Sequence, residues 1–312
     1  MKLLIYHRRA EELRALIGAA VPDLDIAAGF DEATLERHLD SAEAVIAWRL
    51  PLEALPRAKR LRWIQLTSAG AEQLLPARAA LHDVVVTNTR GIHVDLMADY
   101  ALGVLVMLQW DFPRMLRDQQ TRTWNQRLAL PLAGRTLGVV GAGAIGGEIV
   151  RRAAAFGMEV LAVRRTPGAV EGAHEVLTAD RLREALPRCD FVILVVPVTE
   201  ATRDMIGAAE LRAMKRTAFF INIARGSVVD EAALVTALRE GVIAGAALDV
   251  FDEEPLPADS ALWTLPNVIL TPHVAGEPAD YGRRVADVFL DNVARWRRHE
   301  PLRNVVDFER GY

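Results

Sequence analysis

The sequence predicts an α/β protein of two domains, and three observations carry the prediction. Short apolar runs of strand length alternate with stretches of helical spacing along most of the chain. A glycine-rich turn, Gly141-Ala142-Gly143-Ala144-Ile145-Gly146, stands between the apolar run 136–140 and a helical segment that reaches Phe156. At 312 residues the chain is long enough to bury more than one core.

Composition narrows the class. Hydrophobic residues at 51% and charged residues at 25% describe a soluble globular protein rather than a disordered one. The balance of 37 basic against 41 acidic residues, a formal charge of -4, argues against a nucleic-acid partner. Cys189 is the single cysteine, so no intramolecular disulfide and no cysteine-based metal cluster can form, and its apolar neighbours predict a buried thiol. The apolar run at residues 1–6 is too short for a secretion signal, and the strongest apolar stretch, 98–110, falls short of the roughly 20 residues that cross a bilayer. No membrane association and a cytoplasmic location are the expectations.

In the first hundred residues, 2–6, 44–47, 63–66 and 84–87 read as strands, and 11–19 and 31–39 carry helical spacing. Thr67-Ser68-Ala69-Gly70 and Asn88-Thr89-Arg90-Gly91 follow two of the strands, where parallel sheets present their ligand loops. A long helix is predicted from Asp95 toward Gln109, resuming after Pro113, and Pro131-Leu132-Ala133-Gly134 makes a turn before the strand at 136–140. Further strands are expected at 159–163, 191–196, 218–223, 245–250 and 268–270, with a helix at 230–239 that Asp230 caps. The last long helix is expected to start near Pro278 and run to about Arg297, with Tyr281, Val285, Phe289 and Trp296 near one face. Repeated β-α units require mostly parallel sheets with helices on both faces. The expected division is noncontiguous: residues 1–96 and 277–312 form a substrate domain, residues 97–276, with the glycine turn, a dinucleotide-binding domain, and the cleft holds the reaction.

The glycine turn supplies a dinucleotide pyrophosphate site: small residues admit the backbone closely, and the N–H groups at the helix start face the anion through Gly141, Gly143, Ala144, Ile145 and Gly146. After the next strand an NAD site ordinarily places an acid on the adenosine ribose. This chain has Arg164-Arg165-Thr166 instead, two guanidinium groups and a hydroxyl suited to a ribose 2'-phosphate. Arg225 lies in Asn222-Ile223-Ala224-Arg225-Gly226-Ser227, where a guanidinium can grip a carboxylate with two parallel bonds and polarise a carbonyl. His273, in Thr271-Pro272-His273-Val274-Ala275-Gly276, can protonate an oxygen that is becoming an alkoxide. Glu254, just before Pro255, is a carboxylate that would orient such a histidine and favour its protonated form. The other histidines read as surface or packing residues, and no metal site is expected.

On these segments, taken with Val229-Asp230-Glu231 and the stretch 247–255, the chain resembles the D-isomer-specific 2-hydroxyacid dehydrogenases over nearly its whole length. The resemblance implies a Rossmann-type cofactor domain with a smaller flavodoxin-like substrate domain. It also implies that Arg225 binds carboxylate and carbonyl, that Glu254 pairs with His273, and that His273 is the acid/base. By the same resemblance, backbone N–H groups of Ser68, Ala69 and Gly70 bind the substrate carboxylate, and domain closure completes the site. The departure at Arg164 resembles the glyoxylate and hydroxypyruvate reductase branch, making NADPH the expected cofactor with NAD as an alternative. Family members form dimers, and residues 119–124 resemble the region that extends toward a partner, with Trp124 at its end.

The expected activity is therefore NADPH-dependent reduction of a small 2-oxo acid, such as glyoxylate or hydroxypyruvate, to the D-2-hydroxy acid. An NAD-dependent phosphoglycerate dehydrogenase is the alternative within enzymes, opposed by the paired arginines. Formate dehydrogenase relatives carry glutamine where Glu254 stands. A non-catalytic dinucleotide sensor is the alternative of a different class, and the intact trio opposes it.

Overall fold

A computed structural model describes residues 1–309; residues 310–312, at the end of the expected substrate domain, lie outside the described residues. The chain forms two compact units, Met1–Ile92 with Pro278–Tyr312, and His93–Glu277.

The first unit carries β1 (Lys2–Tyr6), α1 (Ala10–Ala20), β2 (Asp25–Gly29), α2 (Glu32–His38), β3 (Ala44–Ala47), β4 (Trp63–Leu66) and β5 (Val85–Thr87). The strands are parallel in the order β2-β1-β3-β4-β5, the flavodoxin-like winding. Every residue of β3 and β4 is buried, as a doubly covered parallel strand requires. Sequence reading missed β2, whose Asp, two Ala and Gly have poor strand propensity. It forms because five consecutive residues pair in register with β1. Asp31 caps α2 by accepting from Thr34 N–H at 2.7 Å.

The second unit carries α3 (Val94–Gln109), α4 (Phe112–Gln120), β6 (Thr136–Val140), α5 (Ala144–Ala155), β7 (Glu159–Arg164), β8 (Glu175–Thr178), α6 (Leu182–Ala185), β9 (Phe191–Leu194), α7 (Ala208–Ala213), β10 (Phe219–Asn222), α8 (Glu231–Arg239), β11 (Gly245–Leu248) and β12 (Val268–Leu270). Its seven strands are parallel in the order β12-β11-β10-β9-β6-β7-β8. The first strand thus lies inside the sheet and the order reverses beside it, the switch point at which Rossmann-type sheets receive dinucleotides. The unexpected β8 holds its place by pairing with β7. Two apolar layers cover the two faces, one around Phe220, Leu234 and Leu248, the other around Leu105, Val139 and Ile149.

Cys189 is fully buried in this unit, its Sγ donating to Ala185 O at 3.2 Å, and burial pushes the thiol up to about 12. Asp230 caps α8 by accepting from Ala233 N–H at 2.9 Å. The chain then returns to the first unit as α9 (Tyr281–Arg297). Pro278 is not the helix's first residue. Its carbonyl accepts from Tyr281 N–H at 3.1 Å in a preceding turn, and the helix begins only after Asp280. Phe289 and Trp296 stack on Trp63 of β4 at centroid distances of 4.8 and 5.7 Å, which fixes α9 to the first sheet. No helix among the described residues is long and apolar enough to cross a membrane.

Candidate active site

The glycine turn follows β6. Gly141 has φ +105, and a Cβ there would stand 2.5 Å from Val195 O, so only glycine makes this turn. A Cβ at Gly146 would stand 2.2 Å from Gly141 O, which ties the helix start closely to the strand end. At Gly143 the space is open, with no atom within 4 Å of a Cβ position. The first bond of α5 is Gly147 N–H to Gly143 O at 2.8 Å, so the N–H groups of Ala144, Ile145 and Gly146 are not used by the helix. An open backbone surface at a twelve-residue helix's positive end fits a dinucleotide pyrophosphate.

Arg164 ends β7, the neighbour of β6. The N–H groups of Gly141 and Ala142 bond Val163 O at 2.8 and 3.2 Å, which sets the glycine turn beside Arg164-Arg165-Thr166. Arg165 and Thr166 are exposed, Arg164 is half-buried, and among the described residues no carboxylate pairs with Arg164. The side chains present at this strand end are cationic or hydroxylic, a set that fits a phosphate and repels nothing anionic.

Arg225, Glu254 and His273 follow three neighbouring strands, β10, β11 and β12. The Arg225 loop is shaped by Asn222, whose Oδ1 accepts from Ala224 N–H at 3.0 Å and whose Nδ2 donates to Arg225 O at 3.0 Å. Gly226 touches the next loop: a Cβ there would stand 1.9 Å from the Phe251 carbonyl carbon. Phe251 N–H in turn donates to Glu254 Oε1 at 3.0 Å, leaving Oε2 to bond His273 Nδ1 at 2.7 Å. With Nδ1 engaged, Nε2 is the ring nitrogen left for proton exchange, and it has no bond among the described residues. Sequence spacing gave no distance for this pair, and the geometry brings it within one hydrogen bond.

Sequence reading missed the residue that holds the histidine turn. His273 has φ +53, an uncommon backbone conformation for a residue with a side chain. Buried Asp249 spans the turn: Oδ1 accepts from Thr271 Oγ1 at 2.6 Å and Val274 N–H at 2.9 Å, and Oδ2 from Ala275 N–H at 2.9 Å. Tyr100 OH lies 2.7 Å from Thr271 Oγ1, and burial pushes that phenol up to about 12. The one available signal was an acid directly after an apolar strand.

In the first unit, Ser68, Ala69 and Gly70 form the loop after β4. Ser68 Oγ donates to Gly70 O at 2.8 Å and Asn88 Nδ2 to Ala69 O at 2.8 Å, which engages the loop's carbonyls. The three N–H groups of the loop donate to nothing among the described residues. Glu72 Oε2 lies 2.1 Å from where a Gly70 Cβ would stand, so a side chain at position 70 would require the Glu72 carboxylate to swing aside. No group of three or more His, Cys, Asp or Glu side chains among the described residues is arranged to hold a metal ion.

Comparison with known proteins bears on this geometry. The family pattern described as D-isomer specific 2-hydroxyacid dehydrogenase, NAD binding domain, matches residues 102–275. Glyoxylate reductase of Korarchaeum cryptofilum is 37% identical over 282 residues, covering 88% of this chain and 84% of that protein. A D-isomer specific 2-hydroxyacid dehydrogenase from Xanthobacter autotrophicus, solved with NADPH and MES, superposes with a TM-score of 0.89 at 33% identity, over 100% of this chain and 99% of that one. The NADPH-dependent glyoxylate/hydroxypyruvate reductase of Sinorhizobium meliloti, solved with NADP and sulfate, gives 0.91 at 28% identity over the same shares.

Proposed function

Because the chain belongs to the D-isomer-specific 2-hydroxyacid dehydrogenase family, we propose that it reduces a small 2-oxo acid, glyoxylate or hydroxypyruvate or one similar, to the D-2-hydroxy acid with NADPH. The observation that carries the reading is the 2.7 Å Glu254–His273 pair, carried by the two strand ends that follow that of Arg225 in the sheet. It is the arrangement that carbonyl reduction needs: a cation for the carboxylate and an oriented acid for the oxygen. A reduced nicotinamide, when bound, supplies the hydride.

The residues of this chain do the rest. The N–H groups of Ala144, Ile145 and Gly146 would hold the pyrophosphate, and Arg164, Arg165 and Thr166 the ribose 2'-phosphate. Arg225 grips the substrate carboxylate and draws electron density from the adjacent carbonyl, with the Ser68–Gly70 N–H groups as a second carboxylate contact. His273 donates the proton on Nε2 to the carbonyl oxygen as it gains charge. Glu254 holds the ring through Nδ1 and so leaves Nε2 as the nitrogen that exchanges the proton. In the reverse direction Nε2 takes the proton back. We further propose that the chain works as a homodimer, supported by the exposed apolar residues of the segment around Trp124.

The test is a screen of small 2-oxo acids following NADPH absorbance, with kcat/KM for NADPH and NADH compared at one substrate and salt concentration. Turnover of at least one such acid is expected, with NADPH preferred about tenfold or more, since one charge-assisted contact is worth roughly 1.5 to 3 kcal/mol. Equal values or a preference for NADH overturns the phosphate role of Arg164 and Arg165 and leaves the reductase reading in place. No turnover across the panel overturns the latter.

A further inference from the structure

In the first unit the segment that follows α9 closes the outer edge of β5, a strand at one side of the sheet. Thr87 and Val305 pair antiparallel, Val306 N–H donates to Val86 O at 2.8 Å, and Asn88 N–H donates to Asn304 O at 3.0 Å. Asn304 stands at φ +56, the left-handed region that asparagine and glycine enter most readily. The residue before it is anchored to α9: buried Asn292 accepts from Arg303 N–H at 2.8 Å and donates to Arg303 O at 3.2 Å. The Asn304 side chain reaches back, Nδ2 donating to Asn88 O at 3.3 Å and to Arg90 O at 2.8 Å. Asn304 thus holds the backbone of Asn88 through both its N–H and its carbonyl. So held, buried Asn88 aims Nδ2 at Ala69 O, 2.8 Å away. The next residue, Thr89, donates its N–H to Ser68 O at 3.0 Å and its Oγ1 to Thr67 O at 2.7 Å.

Every carbonyl from Thr67 to Ala69 is therefore engaged, and the planar trans peptide turns this into control of the opposite group. Fixing the carbonyl of one residue points the N–H of the following residue the other way. The carbonyls of Thr67, Ser68 and Ala69 thereby aim the N–H groups of Ser68, Ala69 and Gly70, the three that the carboxylate contact requires. We propose that Asn304 is a positioning residue for the substrate carboxylate, aiming these N–H groups through Asn88 and Thr89 without touching the substrate. The inference rests on the 2-oxo acid reductase reading and adds to it a residue outside the loop. Thr67 O also accepts from the Tyr281 hydroxyl, so removing the Asn304 amide loosens the peptides of Ser68 and Ala69 first. N–H groups that grip a carboxylate do so alike in the ground and transition states. A loosened loop consequently weakens substrate binding and leaves the chemical step nearly as fast.

The experiment compares two substitutions. Asn304→Gly keeps the positive φ and the main-chain bond but removes the amide, and Asn304→Asp sets a carboxylate against two carbonyls. Leu35→Ala, in the same apolar core but on α2, is the control for lost stability. KM and kcat are measured with the 2-oxo acid turned over fastest, and calorimetry gives dissociation constants for NADPH and for oxalate, an unreactive carboxylate. In Asn304→Gly the substrate KM and the oxalate constant should rise about fivefold, with kcat and the NADPH constant nearly unmoved. Asn304→Asp should raise the same two values further. Leu35→Ala should melt at a lower temperature and leave them where they were. An unmoved oxalate constant in Asn304→Gly overturns the proposal whatever the aspartate variant does, as does a rise that Leu35→Ala or the NADPH constant shares, or a fall in kcat alone. If the unmodified protein reduces no 2-oxo acid, the reductase reading fails separately. Amide hydrogen exchange over residues 67–70 then decides the positioning, which stands if Asn304→Gly speeds exchange there and Leu35→Ala does not, and falls otherwise.

Discussion

The bond from Glu254 Oε2 to His273 Nδ1 fixes which ring nitrogen is left to exchange a proton, and it sets a negative charge against the ring. These two effects separate by substitution. His273→Ala removes the proton donor and should lower turnover about 10²- to 10⁴-fold while cofactor binding, measured by titration, is largely kept. Glu254→Gln keeps the side chain's shape but turns the charge-assisted bond to Nδ1 into a weaker neutral one, so the ring is held less firmly. Reductive kcat should fall, by less than in His273→Ala, while cofactor binding is again kept. An unchanged kcat, with chemistry shown to limit the rate, would count against the pairing as a catalytic device.

At the scale of the strands, β10, β11 and β12 deliver three side chains to one end of a sheet, and Asp249 holds the third in place. Its carboxylate accepts three bonds from residues 22 to 26 positions onward. Asp249→Asn turns an amide toward N–H groups that need acceptors, and each bond to the charged form is worth roughly 1.5 to 3 kcal/mol. The variant should melt at a lower temperature and lose at least about tenfold in kcat, because the His273 turn, at φ +53, has lost its clamp. Unaltered kcat at saturating substrate would assign Asp249 to stability alone. The same contrast explains what sequence reading could reach. The glycine turn, the Asp230 cap and the strands 2–6 and 136–140 are local patterns, written in neighbouring residues. Strands β2 and β8 arise from pairing with β1 and β7, and the role of Asp249 arises from residues after the next strand, so no local window contains either. The Glu254–His273 pairing was expected from the sequence and its resemblance, but its distance comes only from the order of the strands that carry the two loops.

For the whole molecule the remaining question is what covers the apolar surface of the second unit. Helix α4 buries none of its residues, and Trp110, Leu116, Trp124, Leu128 and Leu130 all stand exposed, Trp124 at 95%. The segment is nonetheless tied down: Arg127 Nη1 bonds Asp111 Oδ2 at 2.6 Å, and Gln109 Nε2 donates to Leu130 O at 2.9 Å. A stretch anchored at two points with its apolar side chains in solvent is the pattern of an association surface. Burying a large side chain of this kind contributes about 1.5 to 3 kcal/mol, so five of them in a second copy would sustain a dimer at micromolar concentrations after the cost of association is met. Sedimentation equilibrium should therefore give twice the 34.3 kDa chain mass. The double variant Trp124→Ser with Leu128→Ser should sediment as the monomer with an unchanged far-ultraviolet dichroism spectrum, since neither side chain belongs to a core. A monomeric unmodified protein would remove the dimer from the proposal, whereas a double variant that stays dimeric would move the contact to another face.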